Sequence, residues 1–199
     1  MKKLFKKSLA VILTALLLIS TVPITVSAAE ATADSVGKVF NDNRTRSDDS
    51  RAVYIKATFS NGKTWRGSGF IFARNAVMTA AHLVYEKYCG GIAEYITVYP
   101  EGPNGPGYSV TNTTYNSAII GTSEEDGNWS HDNDWAILKT SNNIGDDYGY
   151  FGFSTNVSKN DTLTITGFPK DKGSVRYTES GKAIQIYDKT ITHKISTAE

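Results

Sequence analysis

"AVYIKATFSNGKTWRGSGFIFA", residues 52–73, decides how this chain is built. Apolar and polar residues alternate on both sides of Asn61-Gly62. That is the period of a half-buried strand, and Asn-Gly between two such runs is the strongest short hairpin signal. Downstream, strand-like runs return in "AVMT" (76–79), "YITVYP" (95–100), "NSAIIG" (116–121), "DWAILKT" (134–140), "DTLTITGF" (161–168), "SVRYTE" (174–179), "AIQIYD" (183–188) and "TITHKIS" (190–196). Gly, Asn, Asp and Pro clusters separate them, and only residues 80–88 read as helix, for barely two turns. The pattern predicts an all-β barrel or sandwich. Two long polar loops, 100–109 and 121–133, are either carriers of function or tolerated insertions on that scaffold.

Upstream the chain changes character. Residues 29–50 are polar and poor in large apolar side chains, the composition of a pro-segment followed by an extended N-terminal arm. Before them, "MKKLFKK" is basic, "SLAVILTALLLIS" is apolar, and Val26-Ser27-Ala28 offers small residues to a signal peptidase. A signal peptide over 1–28 is expected. Its apolar run is short of the roughly 20 residues that a membrane span needs, so no membrane association is expected after its removal. Of 21 Lys+Arg and 20 Asp+Glu, residues 1–34 hold four and two, which leaves 17 basic and 18 acidic residues. So balanced a chain has no field to steer it to nucleic acid or anionic lipid. Cys89 is the only cysteine, so no disulfide framework forms within the chain. Cys89 is then either a free, small hydrophobe or paired outside these residues; in "EKYCGG" only Lys87 could activate the thiol, which reads as structural or incidental.

"AVMTAAHLVY" (76–85) raises the chemical question, because a histidine follows a step of small residues at the end of an apolar run. Either His82 is an ordinary polar residue at a strand end, or the small residues let the chain turn tightly and hold an imidazole at a cleft. "DNDWAILK" (132–139) bears on the choice. Asp134 opens an apolar strand, and a carboxylate turned inward there needs a partner. A neutral imidazole with its Nδ1–H supplies one. By itself an Asp before a strand is a turn residue; with "TAAH" upstream, the two read as a base and its orienting carboxylate.

Together, "GSGFIFARNAVMTAAHLVY" (67–85), "DNDWAILK" and "ITGFPKDKG" (165–173) resemble the glutamyl endopeptidase branch of the trypsin-like serine proteases, the staphylococcal V8 and bacillus type. The likeness runs from about Asn43 to the last residue. It implies a trypsin-like double antiparallel β-barrel with the site in the cleft between barrels. On that reading, residues 35–146 hold the N-terminal arm and a complete first barrel. Residues 147–199 hold a partial second one, and the signal peptide (1–28) and a pro-segment (29–34) precede both. The resemblance implies His82 as general base and Asp134 as the buried carboxylate that fixes its tautomer. It further implies a secreted bacterial serine endopeptidase, matured from a zymogen near Asp34. Such an enzyme cleaves protein or peptide substrates after Glu or Asp, needs no cofactor and no metal, and is monomeric when complete.

The order His…Asp…Ser then requires a nucleophile downstream. The family places Gly-x-Ser-Gly just after a strand like "ITHKISTAE" (191–199), and no such loop occurs in residues 1–199. The nucleophile serine is therefore expected to be absent from this chain, with its oxyanion hole, and the second barrel to keep unpaired edges. Ser68, Ser174 and Ser180 lack an elbow-like setting. His131 reads as a loop residue and His193 as a strand residue near the cleft. "EEDGNWSHDND" (124–134) lacks the regular spacing of a calcium loop and reads as a solvated acidic loop. The alternative from another class is a non-catalytic, protease-like binding or toxin-like secreted module. Such a module needs neither His82 nor Asp134.

Overall fold

The structure, a computed structural model, describes residues 41–116, 133–188 and 190–198. The signal and pro-segment expectations, the "NSAIIG" strand beyond Asn116, His131 and most of the acidic loop lie outside these residues. The short β1 (Thr45–Arg46) is followed by β2 (Ala52–Thr58) and β3 (Thr64–Ala73), which pair from Ala52↔Phe70 to Thr58↔Thr64. This is the expected hairpin. Its reversal runs over Phe59–Gly62, where the Gly62 N–H donates to the Phe59 carbonyl at 2.9 Å. Gly62 itself takes φ 81°, the left-handed conformation that glycine adopts without steric cost.

Next come β4 (Ala76–Thr79), β5 (Tyr85–Glu86), β6 (Gly91–Ile92), β7 (Tyr95–Tyr99), β8 (Tyr108–Tyr115) and β9 (Ala136–Thr140). Six of these strands close an antiparallel barrel in the order β2-β3-β4-β9-β8-β7. Its interior is filled by Val53, Ile55, Ile71, Val77, Val98 and Leu138, all without solvent contact. The short helix α1 (Ile144–Tyr148) packs Gly145 against the β3–β4 turn, where a Cβ would lie 2.8 Å from the Ala73 carbonyl oxygen.

From α1 the chain runs back along the outside of β3. The Phe151 N–H donates to the Ile71 carbonyl at 2.9 Å, and the Phe151 and Phe153 rings meet Phe70 edge-on at 6.2 and 6.3 Å. It then enters β10 (Thr162–Gly167), β11 (Tyr177–Ile186) and β12 (Ile191–His193). These form a four-stranded antiparallel sheet with β1, which pairs Thr45↔Thr178 and Arg46↔Tyr177. Among the described residues the architecture is all-β: one closed barrel, one open sheet and the small two-stranded pair of β5 with β6.

Local details depart from expectation. The helix expected over 80–88 is two 3-10 turns, Ala81–Leu83 and Lys87–Cys89, split by β5. "SVRYTE" and "AIQIYD" merge into the single long β11, and the strand expected at "TITHKIS" shrinks to three residues. The polar β8 occupies a stretch with no strand signal, and it begins inside the expected loop 100–109. Cys89 is buried in the barrel core.

Candidate active site

The register of the barrel builds the site. β4 and β9 are neighbours with Thr79 opposite Ala136, so the chain leaving β4 and the chain arriving at β9 meet at the same end. Thr79 anchors the exit, its hydroxyl donating to the Ser68 carbonyl at 2.8 Å. Ala80 is extended, and Ala81 turns into the 3-10 helix with its methyl wholly buried. A larger side chain at Ala81 would have to displace the core around it. His82 follows on the open side of the turn.

Asp134 sits two residues before β9 and holds His82 twice. Its Oδ2 lies 2.7 Å from His82 Nδ1, and its Oδ1 accepts the backbone N–H of His82 at 2.9 Å. The Asp134 side chain is 10% exposed and that of His82 is 23%. An ionised carboxylate can only accept, so Nδ1 carries the proton of the neutral ring and Nε2 keeps its lone pair. The structure thus brings together the two residues singled out by sequence. Chemically, the arrangement is an imidazole whose tautomer and orientation are fixed by the carboxylate at Nδ1.

His82 faces a cleft of about 840 Å³ between the barrel and the open sheet. One staple crosses it: Ser68 on β3 accepts the Phe168 N–H on its hydroxyl at 2.8 Å. Gly167 must be glycine for this approach, since a Cβ would fall 2.7 Å from Ser68 Oγ. Ser68 is therefore occupied in holding the two halves together. Ser174 lines the cleft, while the Ser180 hydroxyl lies 2.7 Å from that of Thr164. Ser196 is buried on the cleft wall, where its N–H donates to Glu179 Oε2 at 3.0 Å.

Charge around the cleft is organised by the N-terminal arm. Arg44, its side chain 2% exposed, binds Asp42 at 2.8 Å and Asp171 at 2.5 Å, and Lys172 binds Asp42 at 2.6 Å. Hydrogen bonds from Arg44, then Lys172, hold the Asp42 carboxyl far below the usual carboxylate range, and Arg44 lowers that of Asp171. Arg176 is buried behind the cleft, donates to the carbonyls of Ala52 and Pro100, and stacks over Phe168 at 5.1 Å. His193 on β12 accepts the Ile195 N–H on Nδ1 at 3.1 Å, and burial pushes its pKa down. Among the described residues no group of three or more His, Cys, Asp or Glu is arranged to hold a metal ion. The Ser68 staple and the Arg44 knot escaped sequence reasoning, because pairs 100 and 127 residues apart leave no local pattern.

The sequence model of the Trypsin family matches residues 42–197. This chain belongs to that family. Among curated relatives, a glutamyl endopeptidase of Bacillus licheniformis is 32% identical over 152 residues, covering 73% of this chain and 46% of that protein. An extracellular metalloprotease of Bacillus subtilis is 30% identical over 144 residues, covering 66% and 44%. The chain spans about half the length of the curated relatives it matches. A solved structure of a Glu endopeptidase in complex with MPD superposes with a TM-score of 0.56 at 25% identity, covering 80% of this chain and 79% of that one. The likeness within the trypsin-like proteases is to the V8-type glutamyl endopeptidase branch, and the fold is the trypsin-like one.

Proposed function

We propose that this chain carries the base half of a secreted bacterial serine endopeptidase that cuts peptide bonds after Glu or Asp. The observation that carries the proposal is the double hold of Asp134 on His82, at 2.7 and 2.9 Å, at the mouth of the cleft. His82 Nε2 takes the proton of a serine hydroxyl and returns it to the leaving amine, while Asp134 holds the ring and stabilises the imidazolium. Two observations support a nucleophile serine outside these 199 residues: no Gly-x-Ser-Gly occurs among them, and the hydroxyls of Ser68 and Ser180 are engaged elsewhere. The preference for an acidic residue rests on the likeness to the Bacillus licheniformis glutamyl endopeptidase, and the extracellular location on the likeness to the Bacillus subtilis extracellular metalloprotease.

The test uses the whole protein expressed from its natural gene. Hydrolysis of a Glu-containing fluorogenic peptide should vanish in His82→Ala, and kcat should fall about 10⁴-fold in Asp134→Asn with the fold intact. An organophosphonate should label a serine outside residues 1–199. Near-normal turnover by the His82→Ala protein, or a label on Ser174 or Ser196, would overturn the assignment.

A further inference from the structure

Among the described residues three cations line the cleft, Arg44, Arg66 and Lys170, and they are not equivalent. Arg44 is already neutralised by Asp42 and Asp171, and Lys172 on the same turn is tied to Asp42. Arg66, on β3, and Lys170, in the turn after β10, make no ion pair among the described residues. The only carboxylate among the described lining residues is Glu179, buried and engaged by the Ser196 N–H. Among the described lining residues the balance of accessible fixed charge is therefore positive, and it is delivered from both walls, one cation from the barrel and one from the open sheet.

From this we infer that the cleft recognises an acidic side chain of its peptide through Arg66 and Lys170, at a position flanking the bond to be cut. The inference rests on the endopeptidase reading for the direction of the bound peptide, and adds to it a second acidic requirement with named residues. Both residues are exposed. Exposed cations suit a side chain that stays near the surface beside the scissile bond, rather than one buried ahead of it. Carboxylates arriving between two uncompensated cations gain attraction without displacing an existing pair. That attraction is modest and screened by salt, as for any exposed ion pair. The neighbourhood supports the geometry. Arg66 precedes Gly67, where a Cβ would lie 2.9 Å from a Leu83 methyl, and Leu83 follows His82 directly. Lys170 is fixed by its N–H to the Ala198 carbonyl at 3.0 Å, on the cleft wall that Ser196 and Thr197 continue.

The experiment is calorimetric titration of the whole protein, carrying His82→Ala so that no peptide is consumed. The probes are acetylated octapeptides of Ala and Gly that all carry one fixed Glu at the fourth position, for the residue ahead of the cut bond, and a second Glu moved through the other positions, each paired with the peptide that has Gln at the moved position only. At one flanking position the Glu peptide should bind about tenfold more tightly than the Gln peptide. Arg66→Gln or Lys170→Gln should each remove about threefold, and the double variant the whole difference. Salt at about 0.5 M should compress the Glu–Gln difference in the same way. Equal affinity for Glu and Gln peptides at every position, or a Glu preference that survives the double variant, would overturn the inference. Hydrolysis by the protein with His82 intact is measured separately. Charge-dependent binding without hydrolysis would sink the endopeptidase reading and leave the cation pair standing, whereas hydrolysis without charge-dependent binding would sink the pair alone.

Discussion

The barrel and the open sheet are made from similar sequence and reach different ends. "AVYIKAT" in β2 and "TLTITG" in β10 both alternate, and both pair antiparallel. Yet Ala52 to Ile55 are all buried, on both faces of β2, whereas no residue of β10 is fully buried. The barrel closes, so its interior side chains touch others all round, and the outward Tyr54 is covered by Phe168 at 5.5 Å. The sheet buries Phe168, Ala183 and Ile195 but leaves Ile186, Tyr187 and Ile191 exposed. Alternation therefore predicts that a segment is a strand, and closure decides how much that strand contributes to stability.

The sharpest way to break this comparison is a matched pair of truncations. Leu138 in β9 has no solvent exposure, while Leu163 in β10 is half-buried. Leu138→Ala should cost about 3 kcal/mol, in the range for a filled core. Leu163→Ala should cost about 1 kcal/mol, in keeping with its partial burial. Urea midpoints of the two variants check it; equal losses would mean that the open sheet is as tightly packed as the barrel.

A second test concerns the knot that ties the N-terminal arm to the Pro169–Gly173 turn. The carboxyls of Asp42 and Asp171 are both lowered from 3.8 by hydrogen bonds, chiefly from Arg44. A depressed carboxylate contributes stability that is present above its unfolded pKa and lost as pH falls through its folded value. The knot should hold at pH 7, persist through pH 3.8, and open only on further acidification. Carbon NMR of the two carboxyls should show midpoints below 3.8 that move up in Arg44→Gln. Midpoints unchanged by that substitution would show that Arg44 does not hold them.

The smallest effect is expected in the connection between the regions. A Cβ on Gly152 would meet nothing within 4 Å, and its φ lies outside the left-handed range. Gly152→Ala should change stability by no more than about 0.5 kcal/mol. A larger loss in thermal unfolding would reveal that this stretch bears packing of its own.

How much of this was legible in the sequence follows from what each element uses. The β2–β3 hairpin was, because period two and Asn61-Gly62 are local. The His82–Asp134 couple was, because its two halves lie in short patterned stretches, "TAAH" and "DNDWAILK". β8 was not: "YSVTNTTY" lies on the barrel with mostly exposed and half-buried side chains, so the packing that makes it a strand comes from β7 and β9 rather than from its own composition. The two 3-10 turns at 81–89 read in sequence as one helix because the apolar spacing fits both, and only Gly90 at φ 95° and the pairing of β5 with β6 break it up. The membership of β1 in the far sheet was invisible, since two residues of strand carry no period.

That membership has a temporal side. Thr45 leads the barrel in sequence but finds its partner at Thr178, 133 positions later. A chain delivered N-terminus first, from a ribosome or a translocation pore, presents every barrel strand before β11 emerges. At the synthesis rate of about 5–20 residues per second, the arm of a chain emerging from a ribosome waits on the order of ten seconds, with Arg44 unpaired to Asp171 for the whole interval. The barrel can close during that wait, because its pairings all lie between residues 52 and 140. The first stretch of the described chain is thus among the last to dock, and its arrival fastens the arm to the turn at Asp171 and Lys172 beside the cleft.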